Sequence, residues 1–196
     1  YFNRNWNTDF VKQIDVIKRI GLDIMEVAPA PLLALTKIQR DEIAAAAKAN
    51  NIELTFSVGL GLDQDLASED ETIRKNGIKF TTDAFKVMSE MGAKMYSGVD
   101  IAAWNKTFTE GIIDKSAAWE RSILAVKEIM KSAEDMGITF AVEVVNRYES
   151  SLVNTAEEAI KYVDEVDSPN CKILLDTYHM NLSLIHISEP TRPEPI

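Results

Sequence analysis

The chain has 196 residues, of which 46% are hydrophobic and 27% are charged, so it can bury the core of one soluble globular domain. The formal net charge of -10, with no stripe of lysines and arginines, argues against a nucleic-acid partner. The sequence shows no signal peptide and no apolar run of about 18 residues, so neither secretion nor a membrane span is expected. The single cysteine, Cys171, opens an apolar run, where packing in a reducing cytoplasm is expected rather than nucleophilic chemistry.

Helical spacing and short apolar runs alternate along the chain, which is the pattern of repeated βα units on a parallel sheet. A first helical stripe, from Phe10 to Ile17, ends at Gly21, and the strand DIMEVA follows. An alanine-rich helix begins after Thr36 as its N-cap, ends at the Asn50–Asn51 pair and leads to the strand IELTFSVG. Three more helix–strand pairs follow: ETIRKNGIKFTTDAFKVMSEMG with AKMYSGVD, SAAWERSILAVKEIMKSAEDMG with ITFAVEVV, and NTAEEAIKYVDEVD with CKILLDTYH.

The nearly continuous apolar strands predict a parallel sheet covered by helices. Both the open doubly wound sheet and the closed (β/α)8 barrel accept this pattern. The segment VGLGLD lacks the third glycine of a dinucleotide-binding turn, and polar residues follow several different strands, which favours the barrel. These strand-end residues are Glu26, Gly59, Asp100, Glu143 and Asp176. We therefore expect an α/β fold, a TIM barrel that is incomplete here, with about five to six βα units of a domain that needs about 250 residues.

Two carboxylates carry the strongest chemical signal. Glu143 lies inside an apolar strand, and burying a lone carboxylate is costly unless it is paired or bound to a metal. Asp176 repeats this situation one βα unit later, and carboxylates at matching heights on adjacent parallel strands would require a cation between them. Hard oxygen ligands suit Mg²⁺ or Mn²⁺. A salt bridge from Glu143 to a buried lysine or arginine is the alternative.

Other polar and aromatic residues lie near these carboxylates in the chain. His179 follows Asp176 in a loop, where it could bind a substrate hydroxyl, a metal, or only solvent. Glu149 and Arg147 could take part in a site, or they could form an ion pair with each other in solvent. The loop tryptophans Trp6 and Trp104 could face a sugar ring or cover the end of the core. The third tryptophan, Trp119, lies at the start of a helix in the segment AAWERS and is expected to have a packing role.

Five segments of the sequence resemble the ketose 3-epimerase family, the D-tagatose 3-epimerase and D-allulose (psicose) 3-epimerase group of the xylose isomerase-like barrel superfamily. They are IGLDIMEVAPAPL, IRKNG, DKSAAWERS, VEVVNRYESSLVNTAEEA and LLDTYHMN. The resemblance spans residues 2 to about 182, and the pair VEVVNRYE and LDTYHMN is its most specific part. It implies a cytoplasmic, metal-dependent (β/α)8 isomerase that inverts C3 of a free ketose through an enediolate, and that assembles as a dimer or tetramer.

The resemblance also implies roles for individual residues. Glu143 matches the metal-binding catalytic glutamate and Asp176 a second metal ligand. The expected cation is Mn²⁺, with Co²⁺ or Mg²⁺ as alternatives, and it would stabilise the enediolate while a carboxylate on each face removes or returns the proton. The residues that match substrate-binding positions are Glu149, His179, Trp104, Trp6 and Gly59.

The last segment departs from the family. SLIHISEPTRPEPI, residues 183–196, holds three of the six prolines and has no helical or strand period, so we expect an adapter read-through artefact after a partial barrel over residues 1–182. We assign no ligand role to His186 or Glu189 in that segment. The family's other metal ligands, a histidine and a second glutamate, have no match, and the first residue is Tyr1 rather than Met. The chain as written is therefore expected to lack part of the site and to be inactive, with open sheet edges.

Several alternatives stay open within the same superfamily. Hydroxypyruvate isomerase and inosose dehydratase share the barrel, and so does a DNA-repair endonuclease, which the acidic balance disfavours. A non-catalytic sugar-binding barrel remnant is a further alternative, and it would show no dependence on a metal.

Overall fold

The computed structural model describes residues 8–106 and 114–183, which form one parallel sheet with helices packed against it. The strands are β1 (Ile24–Val27), β2 (Glu53–Leu60), β3 (Met95–Ala103), β4 (Thr139–Val144) and β5 (Cys171–Leu175). The helices are α1 (Phe10–Arg19), α2 (Pro29–Leu33), α3 (Lys37–Ala49), α4 (Glu71–Met91), α5 (Ser116–Met136), α6 (Ala156–Val166) and α7 (Thr177–Ser183), with a short 3₁₀ helix at Leu62–Gln64. None of the helices in these two ranges is both long enough and apolar enough to cross a bilayer.

The order of the strands decides between the two predicted architectures. The sheet runs β1-β2-β3-β4-β5, and each strand is parallel to the next. A doubly wound sheet reverses its strand order at a switch point, whereas a (β/α)8 barrel adds its strands in sequence. The expected TIM-barrel class is therefore confirmed, and the described residues supply five strands of it.

Local sequence signals account for where the helices begin and end. Thr36 and Gln39 form a capping box at α3, in which the Gln39 backbone N–H donates to Thr36 Oγ1 and the Thr36 backbone N–H donates to Gln39 Oε1. Helix α4 ends at Gly92, which adopts the left-handed conformation at φ 78°. The one-turn helix α2, which begins at Pro29, is not anticipated by the periodicity because it is too short to show a helical repeat.

The two faces of the sheet have opposite characters. Facing the helices, Tyr96 of β3 stacks on Phe140 of β4 at 5.8 Å between ring centroids, and Phe85 of α4 meets Tyr96 edge-on at 5.2 Å. On the other face lie the exposed Ile24 and Glu26 of β1, with the carboxylates described below. The hydrophobic core that stabilises the fold therefore lies between the sheet and the helices, and the polar side chains lie on the opposite, inner face of the sheet.

Two packing predictions are confirmed in this core. Trp119 is buried against Tyr162 at 5.1 Å, and its indole N–H donates to Glu165 at 2.6 Å. Cys171 is a buried free thiol, and burial, with the nearby Asp100, raises its pKa to about 12. A thiol with so high a pKa is almost entirely protonated at neutral pH, so Cys171 is unsuited to nucleophilic chemistry.

Asp100 corrects one sequence expectation, because it does not lie at the end of β3. The register shifts between Gly59 and Leu60, so that Leu60 pairs with Ala103 and β3 continues past Asp100. The Asp100 side chain is fully buried and acts electrostatically on Tyr162 of α6 and on Cys171. Asp100 therefore belongs to the core beneath the helices and not to the mouth of the barrel.

Candidate functional site

The loops that follow β3 and β4 are joined at the carboxyl ends of the strands. The Trp104 backbone N–H donates to the Leu60 carbonyl at 2.8 Å, and the Asn105 N–H donates to the Glu149 carbonyl at 2.8 Å. These bonds tie the end of β2 to the loop after β3, and that loop to the one after β4. In barrels of this class the active site lies at this end of the sheet.

Glu143 lies on the inner face of β4 among like charges. Burial raises its pKa to about 7, and the charges of Asp176, Glu26 and Glu149 add to the shift. Within residues 8–106 and 114–183, no lysine or arginine pairs with Glu143, so the salt-bridge alternative fails there. Its polar neighbour is His179, whose Nε2 lies 3.6 Å from Glu143 Oε1.

Asp176 shares the inner face with Glu143, but the expectation of matching heights is only approximate. Glu143 is in register with Leu174 of β5, so Asp176 lies two residues farther along its strand direction. One carboxylate oxygen, Oδ1, accepts the backbone N–H groups of Tyr178 at 2.6 Å and His179 at 3.3 Å. Asp176 therefore opens helix α7 as an N-cap and is held in place by the backbone it caps.

His179 is not the surface loop residue that the sequence allowed. It lies on α7 and is only 8% exposed. Its Nδ1 contacts Asn146, while Nε2 faces Glu143. The short helix after β5 thus turns this histidine inward, toward the carboxylates.

Glu149 is held by two hydrogen-bond donors. Trp104 Nε1 donates to its Oε2 at 2.9 Å, and Asn146 Nδ2 donates to its Oε1 at 2.7 Å. Burial pulls the pKa of Glu149 upward, but these two hydrogen bonds outweigh it, and the pKa is lowered from its ordinary value. Arg147 forms no ion pair with Glu149 within the described residues, so the solvated ion pair is not observed there.

Gly59 and Trp104 meet at the edge of this cluster. A Cβ placed on Gly59 would lie 3.0 Å from Trp104 Cε3, so the absence of a side chain lets the indole pack against β2. Trp104 stays 46% exposed, with part of its ring turned away from the protein. The structure thus brings together every predicted site residue except Trp6, which lies outside the described residues.

Asn146 is the residue that sequence reasoning missed. It follows β4 directly, is 1% exposed, and touches both Glu149 and His179. The only sequence signal was its place inside the segment VEVVNRYE, because an uncharged amide gives no cue of charge or periodicity.

The donor set fits a divalent cation in its chemistry, although it is not a complete site. Glu143 and Asp176 offer hard oxygen ligands where acidic charges are crowded, and no lysine or arginine pairs with Glu143 in the described residues. In residues 8–106 and 114–183, no group of three or more His, Cys, Asp or Glu side chains is arranged to hold a metal ion. The chain therefore presents two expected ligands, and their roles remain predictions.

A parallel sheet built in sequence order, with acidic side chains at its carboxyl end, defines this chain as part of a (β/α)8 barrel. Residues 14–190 match the xylose isomerase-like TIM barrel family, and the chain belongs to that family.

Known proteins similar to this chain include sugar epimerases. A protein from Ruminiclostridium cellulolyticum named D-psicose 3-epimerase is 39% identical over 182 residues, which are 93% of this chain and 62% of that protein. A crystal structure of D-psicose 3-epimerase with D-tagatose, from Clostridium cellulolyticum H10, superposes with a TM-score of 0.85 at 40% identity, over 90% of this chain and 61% of that one. A D-psicose 3-epimerase crystallised in the presence of D-fructose gives a TM-score of 0.89 at 29% identity, over 96% and 64% of the two chains. The chain thus spans less than two thirds of the length of these relatives.

Proposed function

We propose that this site serves the epimerisation of free ketoses at C3, with D-fructose and D-allulose, or D-tagatose and D-sorbose, as the substrate pairs. The observation that carries the proposal is the position of Glu143, half-buried on the inner face beside Asp176, with no lysine or arginine partner in the described residues. The similarity to proteins named D-psicose 3-epimerase supports it.

Glu143 is the proposed base. Without a cation, burial and the neighbouring acidic charges raise the pKa of Glu143 to about 7, so its carboxylate accepts a proton more readily than that of an exposed glutamate. It takes the proton from C3, next to the ketose carbonyl, and a second acid returns a proton from the opposite face. One C–H bond breaks and another forms at the same carbon, so the reaction needs no oxidant or reductant.

Glu143 and Asp176 are the proposed ligands of a divalent cation, Mn²⁺ first, with Co²⁺ and Mg²⁺ as alternatives. Such a cation, when bound, supplies Lewis-acid stabilisation of the negative charge that develops on the sugar oxygens. Among the described residues, the bonds that cap α7 engage Oδ1 and no hydrogen bond engages Oδ2, which would serve as the ligand atom.

Glu149, His179 and Trp104 are the proposed contacts to the sugar. Glu149 remains an ionised acceptor with free lone pairs for sugar hydroxyls, because each oxygen receives only one protein donor from the described residues. The half-exposed indole of Trp104 offers a flat apolar surface to the C–H face of the ring. Acidic groups at this mouth disfavour the phosphate backbone that an endonuclease must bind. A cytoplasmic setting and a homo-oligomer are part of the same proposal.

The test is exchange of the C3 proton of D-fructose in D₂O, followed by NMR with Mn²⁺ and with an EDTA control. We expect deuterium at C3 only when Mn²⁺ is present, because proton removal requires both the base and the charge stabilisation. Exchange at C3 needs one base and the charge stabilisation but not the second acid, so it can occur in a chain that is expected to be unable to complete the epimerisation. Deuterium at C1 instead would indicate an aldose–ketose isomerase, and no exchange in folded, Mn²⁺-loaded protein would overturn the proposal.

Glu143→Gln supplies the matched variant, since it keeps the shape and removes the base. We expect it to abolish exchange, whereas Glu53→Gln, at an exposed position on β2, should exchange as the parent does. Equal exchange in Glu143→Gln would contradict the role of Glu143.

A further inference from the structure

The hydrogen bonds around Asn146 fix the orientation of its amide group. The Tyr148 backbone N–H can only donate, and it lies 2.9 Å from Asn146 Oδ1, which must therefore be the oxygen. The other end, Nδ2, lies 2.7 Å from Glu149 Oε1, and an ionised carboxylate can only accept. Two independent contacts thus require the same orientation.

This orientation determines which nitrogen of His179 carries the proton. His179 Nδ1 lies 3.3 Å from the Asn146 backbone N–H and 2.8 Å from Asn146 Nδ2. Both groups are donors, so Nδ1 must offer its lone pair, and the proton of the neutral imidazole lies on Nε2. That Nε2–H faces Glu143 Oε1 at 3.6 Å.

We propose that Asn146 is a positioning residue that holds His179 in the Nε2–H tautomer and at the same time anchors Glu149. In the other tautomer His179 would turn a lone pair toward the Glu143 carboxylate, and both groups would be acceptors. Glu149 Oε1 also lies 3.9 Å from Nδ1, but the two Asn146 donors are closer, at 3.3 and 2.8 Å, and they require a lone pair there. With Nε2–H directed into the site, His179 can donate to an oxygen acceptor such as a ketose carbonyl or hydroxyl. The catalytic consequence rests on the proposed function, whereas the tautomer follows from the contacts alone.

The burial of the three side chains supports this role. Asn146 is 1% exposed and the side chain of His179 is 10% exposed, so water competes little for these hydrogen bonds. The Glu149 side chain is 25% exposed, so part of it stays in contact with solvent. One buried amide therefore joins the loop after β4 to helix α7 after β5.

The direct test is ¹⁵N NMR of histidine-labelled protein at a pH of about 9, where an ordinary imidazole is neutral. The chain has two histidines, and a His186→Gln background leaves only the signals of His179. We expect a pyridine-type shift at Nδ1 and a pyrrole-type shift at Nε2. A proton on Nδ1, or the averaged shifts of a free imidazole, would overturn the proposal.

Asn146→Asp is the matching variant, because it keeps the shape but presents an acceptor to Nδ1. We expect the share of the Nδ1–H form to rise, and C3 exchange to fall by roughly 10- to 100-fold, as for other residues that orient a site through its ligands. The control is Asn154→Asp in the same loop, since Asn154 Nδ2 donates only to the Val145 and Ser150 carbonyls. An equal tautomer change in Asn154→Asp would mean that loop order, and not Asn146, sets the proton, which would overturn the proposal.

The outcomes also separate the two proposals. If the parent chain has the Nε2–H tautomer and Asn146→Asp alone changes it, but no C3 exchange occurs, the proposed function fails and the positioning role stands. If exchange occurs while the proton lies on Nδ1, the positioning role fails alone. Should Asn146→Asp not fold, a proton on Nδ1 in the parent background would still overturn the proposal, because that spectrum needs no substitution at position 146.

Discussion

Replacing Asp100 by asparagine should make the fold less sensitive to pH. Asp100 is fully buried in β3, and neither carboxyl oxygen has a hydrogen-bond partner of good geometry in the described residues. Burial raises its pKa well above the ordinary value; its own backbone N–H opposes this shift, and the charge of Glu143 adds to it. Above a pH of about 3.8 the unfolded chain releases this proton, whereas the folded protein retains it to a higher pH.

Proton linkage sets the magnitude. A carboxyl with a raised pKa in the folded state costs no stability below the pKa of the unfolded chain, about 3.8. Above that pH, the free energy of unfolding falls by about 1.4 kcal/mol per pH unit until the pH reaches the folded-state pKa. Asp100→Asn removes this ionisation while keeping the shape, so the parent and the variant should diverge at that rate.

The assay is urea unfolding followed by circular dichroism between pH of about 4 and about 8. The difference in unfolding free energy between Asp100→Asn and the parent should grow with pH in favour of the variant. Asp135→Asn, which replaces an exposed aspartate of α5, is the matched control and should follow the parent. Parallel curves for the parent and Asp100→Asn would refute the reasoning, because burial would then not hold the proton.

Two further predictions concern the sheet and the metal. Gly98→Ala should lower the free energy of unfolding, measured in urea, by about 3 kcal/mol or more, because Gly98 has φ 118° and a Cβ there would strike the Val58 carbonyl oxygen. Gly92→Ala is the control: a Cβ there meets nothing within 4 Å, so the loss should be only about 1–2 kcal/mol. Equal losses would show that the clash is absent. Protons should compete with Mn²⁺ for Glu143, whose pKa is about 7. The apparent Mn²⁺ affinity, measured by calorimetry, should therefore rise by up to about tenfold per pH unit below pH 7 and level off above pH 7. An unchanged pH dependence in Glu143→Gln would contradict this assignment.

Much of the fold could be predicted from the sequence, because local patterns and tertiary packing agree. The strand predicted at residues 52–59 is observed at Glu53–Leu60, and the helix predicted at residues 71–92 is observed at Glu71–Met91. Apolar runs bounded by caps and glycines mark such elements strongly. The position of Glu143 and Asp176 on one face follows from the same patterns, since both lie at the carboxyl ends of neighbouring parallel strands.

Other features depend on contacts that no local pattern encodes. The register shift after Gly59 lengthens β3 and places Asp100 in the core, although its sequence position matches that of the site residues on other strands. His179 is buried because α7 turns it inward, and a lone histidine after a strand gives no sign of that. Asn146 shows its role only through hydrogen-bond partners that are distant in sequence.

Glu143 and Glu149 illustrate how one short segment can supply two carboxylates with different chemistry. In the described residues, Glu143 receives no hydrogen bond and faces like charges, so its pKa rises to about 7, whereas Trp104 and Asn146 keep the pKa of Glu149 low against the effect of burial. Opposite shifts in neighbouring carboxyls commonly separate the group that exchanges protons from the group that stays charged. Under the proposed function, this difference assigns proton transfer to Glu143 and binding of the sugar to Glu149. Asn146 contacts both Glu149 and His179, so an uncharged amide links the carboxylate that stays ionised to the histidine that faces Glu143.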